Sequence, residues 1–190
     1  MTTTPLSDLE KTSLLSLARQ DITLAVNRKP LLTLKLEEFT PALQEWGAAF
    51  VTLTLHGNLR GCIGALEAYQ PLVQDVCEHA VAAALEDFRF QPVKPEEAEQ
   101  LMIEISRLTQ PQALEYGSSR ELLDKLRPGI DGVVLRDGGR RATFLPQVWE
   151  KLPEPEDFLA NLCMKMYAPA NLWQRRHLDV LVYQVEEFHE

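Results

Sequence analysis

The chain has 190 residues, 45% of them apolar and 25% charged, which supports one globular domain with a real hydrophobic core. Its 28 acidic against 19 basic residues leave a net charge of -9, which argues against a basic face that holds nucleic acid by its phosphates. No apolar run of about 18 residues occurs, so no membrane span is expected.

The elements follow in chain order. Met1-Thr2-Thr3-Thr4-Pro5 lacks the cationic flank and apolar run of a signal peptide. Ser7-Asp8-Leu9-Glu10 reads as a capping box, in which serine and glutamate satisfy free backbone donors at a helix entry. Leu15, Ala18, Ile22 and Val26 then recur at three- and four-residue steps, predicting a helix that ends near Asn27, before Pro30. From Ala48 the period becomes two: Val51, Leu53 and Leu55 point one way, Phe50, Thr52 and Thr54 the other, as in a strand. His56-Gly57-Asn58 is a turn, and Leu59 to Gly64 returns as the second strand of a hairpin. A helix from about Pro71 to Glu86 comes next, with Leu72, Val76, Ala80 and Ala83 as its buried stripe. A loop with Pro92 and Pro95 leads to a strand from Leu101 to Leu108. Ser118-Ser119-Arg120-Glu121 is a second capping box, opening a short helix to Leu126. Asp131 to Arg136 and Arg140 to Leu145 form a hairpin closed by Asp137-Gly138-Gly139. Pro153 to Met166 fits a helix and Leu178 to Val185 a last strand. Helices and largely antiparallel hairpins alternate without βαβ regularity, so the predicted class is α+β.

The most unusual segment is Leu59-Arg60-Gly61-Cys62-Ile63-Gly64. As a strand it puts Arg60 and Cys62 on one face, and a cation beside a thiol favours thiolate. Gly61 and Gly64 weaken a strand unless something approaches its backbone closely. One reading is a reactive or ligand-contacting Cys62 beside an anion-holding Arg60; the other is an ordinary buried cysteine with an arginine reaching solvent. Asp87 and Arg89, in the loop after the central helix, either grip a polar ligand or fix that loop by capping and an ion pair. That loop is expected to fold back beside the Arg60–Cys62 strand. Glu104 and Ser106 share a strand face with Met102; a buried Glu104 needs a partner, for which Arg60 or Arg89 serves, whereas an exposed one needs none.

Other features are weaker. Three cysteines, Cys62, Cys77 and Cys163, with no CxxC pair, suit a reducing cytoplasm. Cys77 and Cys163 lie on or beside helix stripes and read as core, while Asp75 and His79 are spaced for a surface contact. No compact ligand spacing predicts a metal site or other cofactor. Arg136, Arg140 and Arg141, and then Arg175, Arg176 and His177, form small basic clusters fit for one phosphate group. No phosphate loop and no G-x-S-x-G elbow occurs.

The hexapeptide from Leu59 to Gly64 resembles the signature of the AMMECR1 domain family. Further blocks resemble that family in the same order: Phe50-Val51-Thr52-Leu53, Ala83-Ala84 with Asp87 to Val93, Ile105 to Thr109, Phe144 to Val148, and Leu162-Cys163 with Lys165 and Trp173. The resemblance runs from about residue 10 to the end. It implies a single AMMECR1-like domain over residues 1–190, an α+β fold of two unequal lobes with a cleft to which the signature contributes, and no established reaction. Members are often encoded beside Memo-like and radical SAM proteins, the AmmeMemoRadiSam set, which implies a shared pathway. Two positions depart from the pattern: Phe88 replaces its usual proline, and Lys165-Met166-Tyr167-Ala168 replaces its Lys-Ala-Gly-Leu.

The expectation is a small cytoplasmic enzyme or enzyme accessory acting on a small polar or anionic metabolite, without nucleic acid or membrane partners. Cys62 is expected as nucleophile or close contact and Asp87 as its catalytic companion. Arg60, Gly61, Gly64, Arg89, Glu104 and Ser106 are expected to hold substrate. The alternative is a non-catalytic module that docks to a protein partner. The two differ in whether Cys62→Ser is tolerated.

Overall fold

The computed structural model describes residues 4–190, which divide into a first unit, up to Leu108 together with Glu186–Glu190, and a second unit, Thr109–Val185. In chain order the first unit runs α1 (Asp8–Val26), α2 (Pro41–Gln44), β1 (Trp46–Leu55), β2 (Asn58–Gly64), β3 (Gln70–Pro71), α3 (Leu72–Leu85), α4 (Pro95–Ala98) and β4 (Leu101–Leu108). The second unit supplies β5 (Gln112–Ala113), α5 (Ser119–Lys125), β6 (Gly132–Asp137), β7 (Arg140–Phe144), α6 (Pro155–Lys165), α7 (Leu172–Arg175) and β8 (Asp179–Tyr183), after which β9 (Val185–His189) joins the first sheet. The class is α+β, built on two sheets.

The first sheet has the order β2-β1-β4-β9, with β3 paired to the start of β1. The capping box at Ser7 forms as expected: the serine hydroxyl accepts from the Glu10 backbone and the Glu10 carboxylate from that of Ser7. Leu15, Ala18, Ile22 and Val26 of α1 and Leu72, Val76, Ala80 and Ala83 of α3 are buried against Val51, Leu53, Ile103 and Ile105. Each Leu, Ile or Val side chain among them contributes about 1.5–3 kcal/mol of burial, and each alanine methyl about 0.8 kcal/mol. The helices therefore cover the odd-numbered face of β1 and β4. Phe50, Thr52, Thr54, Glu104 and Ser106 belong to the other face, as the period of two requires.

The β1–β2 turn is two residues long, His56 and Gly57, both with positive φ (51° and 78°), the geometry that matches strand twist. Leu55 faces Asn58 and Thr54 faces Leu59, but Leu53 faces Gly61 and Thr52 faces Cys62. Arg60 is thus the extra residue of a β-bulge. Beyond the bulge, Gly61 and Ile63 take the helix side and Cys62 the other. This overturns the simple alternation that set Arg60 beside Cys62.

In the second unit, sheet order is β5-β8-β6-β7, and the hairpin of β6 and β7 closes at Gly138-Gly139 as expected. Phe158 of α6 stacks on Trp149 at 3.7 Å between ring centroids, inside a core with Leu122, Leu135, Leu159 and Leu162. The Ser118 hydroxyl accepts from the Glu121 backbone, but the Glu121 carboxylate bonds Gly117, so this cap is only half of the expected box. The expected strand from Leu178 to Val185 is interrupted at Gln184. Its N–H and C=O go to Thr109 instead of a ladder, so β8 ends and β9 begins in a different sheet.

Helix α6 ends in a Schellman turn: Tyr167 N–H bonds Met164 C=O and Ala168 N–H bonds Cys163 C=O. Tyr167 carries the left-handed backbone (φ 57°) and is 95% exposed, so its ring contributes no packing that offsets the strain. The glycine of the resembled pattern falls on this residue. Tyr167→Gly is expected to raise stability by about 1 kcal/mol, read as a higher urea midpoint at unchanged slope.

Candidate functional site

β2 is the edge strand of its sheet, so Cys62 presents a backbone N–H and C=O that no further strand pairs. The loop after α3 takes both. A turn in which Phe90 N–H bonds Asp87 C=O returns the chain beside β2. The Asp87 carboxylate accepts from Cys62 N–H at 2.9 Å, while Arg89 Nη2 donates to Cys62 C=O at 3.2 Å. Arg89 also grips Asp87 through Nε (2.9 Å) and Nη2 (2.6 Å), and its own N–H bonds the same carboxylate at 3.2 Å. Side-chain bonds from Arg89, then the Cys62 and Arg89 backbone N–H groups, hold the Asp87 carboxyl well below the usual carboxylate range, against the opposing effect of burial. The loop does fold back beside the signature, and Asp87 with Arg89 clamps the peptide of Cys62.

Arg60 is not free to hold an anion. Its Nε and Nη2 bond the two Glu97 oxygens at 3.1 and 2.9 Å, and Nη1 and Nη2 donate to the carbonyls of Gln91 and Pro92. That is a strap between the bulge and the loop before β4, and it holds the Glu97 carboxyl below its ordinary value. The cation beside the Cys62 thiol is Arg89, whose guanidinium is coupled to Cys62 as well as to Asp87. Nor do the glycines open the backbone to a ligand. A Cβ on Gly61 would lie 2.0 Å from Ala83 O of α3, and one on Gly64 would lie 2.5 Å from Ala49 O and Phe50 Cα of β1. What approaches at both positions is the protein's own backbone.

On the face away from the helices, Cys62, Thr52 and Glu104 form one cross-strand row over β2, β1 and β4. Thr52 Oγ1 donates to Cys62 Sγ at 3.3 Å. Glu104 sits directly opposite Thr52, where Cβ atoms are about 4.5–5.5 Å apart. Neither suggested partner reaches it: Arg60 and Arg89 are bound elsewhere, and among the described residues no cation or donor meets its half-buried carboxylate. Ser106, two residues along, is only 6% exposed, and its hydroxyl likewise has no partner among the described residues.

Cys77 and Cys163 are core residues, 6% and 0% exposed, and burial pushes both thiols up. Asp75 and His79 do meet, at 3.2 Å, but inside the protein and not at its surface; Asp75 also accepts from Ala49 N–H and so ties α3 to β1. The two basic clusters of the second unit are tied down in part: Arg140 and Arg176 both pair with Asp137. Among the described residues no three His, Cys, Asp or Glu side chains are grouped to hold a metal, and no helix is long and apolar enough to cross a membrane.

Sequence reasoning passed over Thr52 and Glu97. Thr52 is fixed beside Cys62 only by the bulge, which no residue pattern marks. Glu97 had a signal, since Lys94-Pro95-Glu96-Glu97 is a helix start and Glu97 bonds the Lys94 N–H at 2.7 Å.

The AMMECR1 family model matches residues 15–188. A protein of Methanothermobacter thermautotrophicus is 37% identical over 187 residues, covering 98% of this chain and 97% of the relative, and one of Methanopyrus kandleri is 36% identical over 166 residues, covering 82% and 78%. The crystal structure of the uncharacterized protein PH0010 from Pyrococcus horikoshii superposes with a TM-score of 0.82 at 32% identity, over 97% of this chain and 93% of that one. The chain belongs to the AMMECR1 family.

Proposed function

We propose that the first unit binds a small polar metabolite on the helix-free face around Cys62, with the thiol as nucleophile or close contact. One observation supports this most: both backbone polar groups of Cys62 are fixed by a single ion pair, which leaves its half-buried side chain presented in a set position beside Thr52 and Arg89. Such preorganisation is what a reacting or gripping group needs. Asp87 acts here as a positioning residue, because its carboxylate is saturated by the clamp. The family's genomic company supports a place for the protein in a cytoplasmic pathway with Memo-like and radical SAM proteins.

Limited iodoacetamide treatment followed by mass-spectrometric mapping should label Cys62 well ahead of Cys77 and Cys163, which are sealed in the two cores. Equal labelling of the three would sink the reading. Metabolite profiling of a deletion strain, rescued by wild type but not by Cys62→Ser, would then identify the compound; full rescue by the serine variant would favour a docking role over a thiol-dependent one.

A further inference from the structure

We infer that Asp75, His79, Tyr69 and Glu78 form a proton-operated latch, which holds the segment before α3 while the His79 ring is charged and loosens it when the ring gives up a proton. The latch is independent of the site proposed above.

The four side chains make one line of contacts from the core to the surface. Asp75 is fully buried, and its Oδ2 accepts from Ala49 N–H at 2.8 Å and meets His79 Nδ1 at 3.2 Å. Its Oδ1 is buried with no hydrogen bond among the described residues. The buried His79 presents Nε2 to the Tyr69 hydroxyl at 3.3 Å, with the two rings edge to face. Tyr69 is 46% exposed, and its hydroxyl also meets Glu78 Oε1 at 3.1 Å. The other Glu78 oxygen accepts from Gln70 Nε2 at 2.7 Å.

The number of protons decides how this line holds together. An ionised Glu78 can only accept. Burial, then the bond to Glu78, pushes the Tyr69 hydroxyl up to about 12, so it keeps its single proton. That proton cannot serve Glu78 and His79 at once. With both ring nitrogens protonated every contact has a donor: Nδ1–H to Asp75, Nε2–H to the Tyr69 oxygen, and the Tyr69 hydroxyl to Glu78. With Nε2 bare, Tyr69 must donate to His79, and its oxygen then faces the Glu78 carboxylate at 3.1 Å with no proton between them. Two acceptors at that distance repel, so the contacts as they stand are those of the charged ring. The unpaired Oδ1 of Asp75 agrees, since a buried carboxylate needs a counter-charge and the ring is in place to supply it.

The elements packed against α3 bring no rival charge to the ring. α2, β1 and β3 carry no titratable side chain. On β2, Arg60 is bound to Glu97 and Cys62 lies on the face away from the helices. On α1, Asp21 faces Cys77, while Lys11 and Arg19 pair with Glu186 and Glu190. Histidine is the side chain that exchanges a proton with water near neutral pH, which makes the latch responsive in that range. The residues it holds, 65–70, join Gly64 of the signature strand to α3.

The test follows the His79 ring by nitrogen NMR and residues 65–71 by hydrogen exchange, corrected for the intrinsic rate, from about pH 5 to about pH 9. Both ring nitrogens should be protonated at the acid end. As pH rises, Nε2 should lose its proton while Nδ1 keeps its own, and protection of 65–71 should fall about tenfold over the same interval, the scale of one charged hydrogen bond. Tyr69→Phe should show the low protection at both ends of the range. Glu78→Gln should show the high protection at both ends, because an amide donates to the Tyr69 oxygen when the ring accepts and accepts from it when the ring is charged. A merely structural role would instead lower protection equally at every pH. If Tyr69→Phe does not fold, Glu78→Gln and the wild-type titration decide the matter. A ring that keeps one protonation state throughout overturns the latch, as does protection that does not follow the ring, or a Glu78→Gln variant with the wild-type pH dependence.

Discussion

Gly61→Ala is expected to cost on the order of 3 kcal/mol, the upper end for an overpacked core. The added methyl carbon would lie 2.0 Å from the Ala83 carbonyl oxygen and 3.0 Å from its carbon. Both atoms are helix backbone, so no side chain can swing aside. Either α3 or β2 must move, and β2 is held in register by β1 on one side and by the Asp87–Arg89 clamp on the other. For a chain of this length the loss corresponds to a melting temperature lower by about 6–12 °C. Gly139→Ala is the control, because nothing lies within 4 Å of a Cβ there and the residue has no positive φ. It should melt within a degree or two of wild type. If Gly61→Ala also matched wild type, the close packing of α3 on the signature strand would be wrong, and with it the explanation of why that strand carries glycine at this position.

The same strand shows which parts of the molecule its sequence makes legible. Period and capping are local, and they located α1, the first hairpin, α3 and β4 closely, since each element's apolar stripe is what its own core requires. The bulge at Arg60 is not local. It arises because Gly61 must face the Ala83 carbonyl while a two-residue turn pins Leu55 against Asn58, and one residue is left over between them. That leftover residue is the arginine, so counting by twos sent it to the wrong surroundings and left Arg89 unrecognised as the cation beside the thiol. The break at Gln184 is hidden for a similar reason. Leu178 to Val185 reads as one continuous strand, and only hydrogen bonds to Thr109, 75 positions away, divide it between two sheets. The juxtaposition of Cys62 with Asp87 and Arg89 was legible from α3's length and position. The unpaired state of Glu104 was not, because it depends on where two distant arginines found their partners.

Asp87→Asn is expected to destabilise the protein by about 2 kcal/mol at neutral pH. The carboxylate accepts four hydrogen bonds, three from Arg89 and one from Cys62, and it is 2% exposed as a side chain. An amide keeps the shape but turns one acceptor into a donor that faces another donor. Loss of a charged, buried acceptor costs about 1.5–3 kcal/mol, and the 45% exposure of Arg89 keeps the figure away from the top of that range. The pH dependence follows from the direction of the shift. Asp87 is held well below the usual carboxylate range when folded, chiefly by Arg89 and then by the Cys62 N–H. A carboxyl of depressed folded pKa contributes its full stability above the unfolded value, near about 3.9, and loses it as pH falls toward the folded one. Urea unfolding of wild type and Asp87→Asn should therefore differ by a constant amount from neutral pH down to about pH 5 and converge below about pH 4. Curves that stay parallel into acid would mean the carboxylate's charge is not what the clamp uses. Hydrogen exchange locates the effect: the Cys62 amide should exchange faster in the variant, because the Asp87 carboxylate that accepts from it on the open edge of β2 has lost an acceptor. If that amide keeps its protection while stability falls, Asp87 supports the loop but not the position of Cys62, and the thiol owes its placement to Thr52 and the bulge instead.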